Sequence, residues 1–152
     1  MELELQNAIS VADIAAIMLG LFGALLGLMN TWKAISDDKV KLVVRPKSAI
    51  PIGAADPDID FCIEVLNRSQ FPVTITDMGF LLKGTKLRAA IVSPIMIDGG
   101  SFPRRLEPRS SFTAYSKSHS ISKGHQVRCV YAKTDCGHIK TGKSPALKNL
   151  QK

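Results

Sequence analysis

From Ile14 to Met29 there is no charged or strongly polar side chain, and the run extends to Val11 and Thr31. As a helix, these 21 residues would be about 31 Å long, close to the hydrocarbon thickness of a bilayer. A core helix of a soluble domain is usually shorter and keeps a polar stripe. A cleaved signal needs a basic start and a small-residue cleavage site, but the start here is MELELQ, which is acidic. The run is therefore expected to be a retained transmembrane helix over 11–32. It would follow a short extracytoplasmic N-terminus, residues 1–10.

Asp13 fits that helix. Ser10 and Asp13 have capping-box spacing, which puts the acid in the first turn, at the positive end of the helix dipole and at headgroup level. An intramembrane acid can instead mark a proton or ion path, but the position of Asp13 near the helix end favours capping. At the other end, Trp32 is an interfacial aromatic and Lys33 follows it. The first 32 residues carry three acids and no base, whereas the remaining 120 carry all 20 basic residues against 10 acids. Lys33, Lys39, Lys41, Arg45 and Lys47 all follow the run. The positive-inside rule then puts the C-terminal part in the cytoplasm. Three cysteines without CxxC spacing, Cys62, Cys129 and Cys136, fit a reducing compartment. Ala16, Gly20 and Ala24 recur every four residues, as do Gly23 and Gly27. Small residues so spaced let two helices approach closely in lipid, so oligomerisation or packing on a partner helix is expected.

After a polar linker at 33–38, the pattern becomes that of strands. KVKLVVR opens the domain and PKSAIPIGAADP is a loop. In DIDFCIEVLN, Ile59, Phe61, Ile63 and Val65 alternate with Asp58, Asp60, Cys62 and Glu64, giving one buried face. PVTITDMGFLL is extended. LRAAIVSPIMI, broken by Pro94, gives two short edge pieces, and IDGGSFP is a loop. SSFTAYSK and QVRCVYAKT are strands, and TDCGH turns into HIKTGK. Seven or eight short strands with no further helix predict an all-β, immunoglobulin-like sandwich over 39–143, with a loose or briefly helical tail at 144–152.

The order of a membrane span, a KLVV-type first strand, VLNRSQFPVTI, MGFLL, LEPRSSF and VRCVYAKTDCGHIK resembles a widespread group of small bacterial single-pass membrane proteins. These have an immunoglobulin-like domain and mostly no assigned function. The resemblance spans most of residues 10–143. It implies the fold and carries over no catalytic residue. That group often has glycine after the proline of the turn before the SFT-like strand. Here Arg109 stands there, so a turn needing positive φ is not expected.

Nothing in the sequence composes an active site. His119, His125 and His138 with Cys129 and Cys136 do not match zinc spacing. Ser110 and Ser111 lack a nucleophile elbow. Asp56, Asp58 and Asp60 lack the remaining ligands of a calcium loop. No cofactor is expected, and the protein is expected to be non-enzymatic. Arg104, Arg105 and Arg109 cluster on a predicted loop and, with Trp32, Lys33, Lys39 and Lys41 at the membrane interface, suit anionic lipid headgroups or a protein partner. Nucleic acid would want aromatic platforms, and only Phe102 is near. The expected role is a membrane-anchored interaction or adaptor protein. The alternative is an effector whose helices assemble into a pore under control of the sandwich.

Overall fold

The computed structural model describes residues 11–52, 56–84, 87–117 and 126–149. It divides into two compact units, Met1–Lys39 and Val40–Lys152.

The first unit holds one helix, α1, Val11–Asp37. It has the length and composition of a membrane span, which an N-terminal signal sequence would share. Asp13 lies in its first turn, while Ser10, its expected cap, lies outside the described residues. The helix does not stop at Trp32. The stretch expected to be a linker is helical to Asp37, because 33–37 contains no glycine or proline to end it. The Asp38 amide closes the last turn on the Ala34 carbonyl at 3.2 Å.

The second unit contains eight strands among the described residues: β1 Leu42–Ser48, β2 Ile59–Asn67, β3 Val73–Leu82, β4 Arg88–Ala90, β5 Arg104–Leu106, β6 Ser111–Lys117, β7 Val127–Thr134 and β8 Ile139–Gly142. A short helix, α2 Ala146–Asn149, follows. All pairings are antiparallel. One sheet has the order β1-β2-β6. The other has β4-β3-β7-β8, with β5 beside the start of β3. Their inner faces enclose a core that includes Val44, Phe61, Ile63, Val65, Ile75, Met78, Phe80, Phe112, Val130 and Ala132.

Strand β2 shows how the alternation produces the layer. Phe61, Ile63 and Val65 are buried, and the Phe61 ring lies 5.5 Å from that of Phe80 in the facing sheet. Ile59 is only half-buried, because a register shift separates it from Phe61. On the outer face, Glu64 lies between Lys47 (3.0 Å) and Arg45 (3.7 Å).

Several elements differ from expectation. The first strand begins at Leu42 rather than Lys39, since the Lys41 amide bonds the Ser69 hydroxyl at 2.8 Å instead of a ladder partner. The two edge pieces expected around Pro94 are present, but they lie on different sheets. β4 flanks β3, whereas Ile95 bridges Tyr115 of β6. Arg104 and Arg105 belong to a strand, not a loop. The short helical turn expected in the tail is present as α2, and it is tied to the domain: Leu147 joins the core, and the Ser144 hydroxyl donates to the Pro46 carbonyl at 2.6 Å.

Arg109 adopts φ 59°, contrary to the sequence expectation. The turn is fixed from both sides. The Ser110 amide and hydroxyl both reach the Glu107 carbonyl (3.2 and 2.7 Å), and the Asn67 amide bonds the Ser110 carbonyl at 2.9 Å. The buried Asn67 side chain lies within hydrogen-bond reach of the Phe71, Leu106 and Glu107 carbonyls and accepts from the Ser69 amide. With both turns held by one asparagine, the backbone at 109 has no freedom to relax.

Candidate functional site

The expected helix-packing residues fall on one face. At about 100° per residue, Ala16, Gly20, Gly23, Ala24 and Gly27 lie within an arc of about 100°. The helix buries none of its residues, and the space beside Gly20, Gly23 and Gly27 is open to 4 Å. Thr31 donates its hydroxyl to the Gly27 carbonyl at 2.9 Å, which satisfies the hydroxyl within the helix. Trp32, Lys33 and Lys39 are exposed and Lys41 is half-buried.

The three arginines do not form one free cluster. Arg104 and Arg105 stand in β5, where Arg104 bonds Asp98 at 2.6 Å and Arg105 bonds Glu107 at 3.1 Å. Arg109 projects from the next turn, exposed. Of that set, Arg109 alone has no acid within 4.0 Å among the described residues.

A surface not singled out by sequence reasoning lies at the far end of β1 from Leu42. The β1–β2 loop, the start of β2, the bridge segment at Ile95 and the end of β6 enclose a cleft of about 360 Å³. Its apolar walls are Ile50, Ile52, Ile59, Ile95, Ile97 and Tyr115. Ile50, Ile52 and Ile97 are 84, 87 and 79% exposed and Ile95 is 40% exposed. Isoleucines this bare and this close together differ from apolar residues scattered singly over a surface. Tyr115 fixes one wall, since its backbone exchanges two hydrogen bonds with Ile95, 3.1 and 2.8 Å. Pro51 and Pro94 keep both isoleucine-bearing segments out of regular strands. The sequence did hold a signal: Ile50-Pro-Ile52 and Ile95-Met-Ile97 repeat an I-x-I pattern inside proline loops, where turn chemistry would favour polar residues.

The rim is charged. Lys117 meets Asp56 at 2.5 Å and Asp58 at 3.5 Å, so these acids converge on an ammonium group. The hydrogen bond from Lys117 holds the Asp56 carboxyl below its ordinary range, and the same bond raises Lys117. Asp60 is exposed on β2.

Among the described residues, no three His, Cys, Asp or Glu side chains are grouped to hold a metal. The three cysteines are free thiols, with Cys62 and Cys129 buried and Cys136 exposed in the β7–β8 turn. The Cys136 thiol lies 3.1 Å from the Thr134 hydroxyl, and that contact lowers its pKa. His138 is exposed in the same turn. His119 and His125 lie outside the described residues.

No family model and no curated protein matches the chain. Among solved structures, it is similar to the "X-ray structure of Northeast Structural Genomics Consortium target SoR45" at 10% identity and a TM-score of 0.30, covering 70% of this chain and 82% of that one. That likeness is too slight to carry an argument about fold or function.

Proposed function

We propose that the protein is a single-span, membrane-tethered docking module of a bacterial inner membrane, without catalytic activity of its own. Its immunoglobulin-like domain faces the cytoplasm and takes an apolar segment of a partner protein into the isoleucine cleft. The observation that carries this is the exposure of Ile50, Ile52 and Ile97 beside one another. Such a patch, with a polar rim, is a typical protein-binding surface. The strand order supports the fold type. β1-β2-β6 and β4-β3-β7-β8 follow an A-B-E and C′-C-F-G arrangement, and the Ile95 bridge stands beside E where a D strand would run. The charge step after Trp32 supports the orientation.

The small-residue face of α1 would pack on a second copy or on a partner's span. Lys33, Lys39, Lys41 and Arg109 would meet anionic headgroups. A pore is the less favoured alternative. From Ile14 to Met29 the helix offers no polar side chain to line a water-filled lumen.

Photo-crosslinking residues placed at Ile52 and at Ile97 of the full chain, in its native membrane, test the cleft. A discrete adduct from both sites, absent from Lys140 on exposed β8 and lost on Ile50→Asp, is the expected result. Adducts that appear equally from Lys140 would contradict cleft-mediated docking.

A further inference from the structure

A second groove, of about 420 Å³, lies between β7 and the β8–α2 turn. Its walls carry three cations, Arg128, Lys143 and Lys148, and no acid. All three are exposed, and among the described residues none has a carboxylate within 4.0 Å. That sets them apart from Arg45, Lys47, Arg104, Arg105 and Lys117, each of which has an acid within 4.0 Å. The chain from Ile139 to Lys152 contains no aspartate or glutamate. Between the cations the lining is apolar, from Val127, Pro145 and Leu147. The Ser144 hydroxyl is already committed, donating to the Pro46 carbonyl and accepting from the Ala146 amide.

We propose that the groove between β7 and the β8–α2 turn binds a phosphate-bearing ligand through Arg128, Lys143 and Lys148. Three donor-only side chains that line one groove concentrate positive charge there, and a compact anion with several acceptor oxygens offsets that charge. A guanidinium gives paired donors to a phosphate, and the ammonium groups add charge. Carboxylates strung along a peptide present one charge per residue and match this concentration less well. The apolar floor would take the organic part of the ligand.

The groove rests on backbone that is firmly held. Val127 and Leu147 are core residues, and Gly142, just before Lys143, packs directly against the Val44 carbonyl. The positions of Arg128 and Lys143 therefore follow from the sandwich itself, and Lys148 is carried by α2.

The test uses the full chain in nanodiscs of zwitterionic lipid, titrated calorimetrically at about 0.1 M salt with inorganic pyrophosphate, dihexanoyl phosphatidic acid and hexaglutamate. Lys143→Gln and Lys148→Gln are compared with Arg68→Gln, which removes the same charge from the β2–β3 turn at the other end of the sandwich. We expect pyrophosphate or the short-chain lipid to bind, and to weaken about tenfold in each groove variant and less than twofold in Arg68→Gln. Binding of pyrophosphate would point to a soluble phosphate compound, and binding of dihexanoyl phosphatidic acid alone to a lipid headgroup. Equal or tighter binding of hexaglutamate, equal weakening by Arg68→Gln, or no binding of either phosphate probe would overturn the proposal.

Discussion

At the scale of residues, Arg109 and Tyr131 are held in conditions they would not choose. An arginine at φ 59° costs on the order of 1 kcal/mol relative to glycine. Arg109→Gly should therefore raise the stability of the domain by about 1 kcal/mol in urea unfolding; a loss of stability would mean that the side chain itself supports the turn. Tyr131 alternates away from the core, between Val130 and Ala132, yet it is fully buried. Gly79 stands opposite it in the register, with the Ala89 carbonyl packed where a side chain at 79 would project. The Arg88 guanidinium lies 5.6 Å from the ring centroid. The phenol donates to the Asp77 carboxylate at 3.0–3.1 Å. Burial first, and then the bond to Asp77, push its pKa up to about 12. The folded protein thus holds this proton more tightly than the unfolded chain. The associated stability is intact below about pH 10 and is lost as pH rises through 12. The protein has two tyrosines, so absorbance titration of Tyr115→Phe reports Tyr131 alone. A midpoint near 12 is expected, and one near 10 would mean an open, solvated phenol.

At the scale of elements, alternation was legible and exceptions to it were not. β2 could be read because one face must leave water. Phe61→Ala should cost about 3–5 kcal/mol, whereas Glu64→Ala, on the outer face between two exposed cations, should cost about 1 kcal/mol or less. Equal losses in thermal or urea unfolding would mean that the strand register is wrong. The β7–β8 hairpin was legible from TDCGH, and Gly137 does take positive φ there. β5 was missed because three residues are too few to show a period, and its pairing to Val73–Ile75 depends on the fold as a whole. Its two arginines looked like a free basic cluster because their acids, Asp98 and Glu107, find them only once the turns form. The helix runs to Asp37, beyond the span expected to end at 32, because membrane thickness limits the apolar run, whereas the helix itself continues until a backbone feature stops it. The isoleucine cleft joins three segments distant in sequence, 49–59, 95–97 and Tyr115; the I-x-I repeats mark two of them, but no local pattern shows that they meet.

At the scale of the whole molecule, the chain divides into a helix suited to lipid and a sandwich with its own core. The charge step between them is expected to fix which side the sandwich occupies. Cys136 offers a direct reporter, being exposed while Cys62 and Cys129 are buried. The decisive measurement is labelling of Cys136 by a membrane-impermeant maleimide in spheroplasts, read in the washed membrane fraction. A cytoplasmic, membrane-tethered domain predicts no labelling while the spheroplasts are intact and full labelling once they are opened. Labelling of intact spheroplasts would contradict it, placing the domain outside and removing a cytoplasmic partner from consideration.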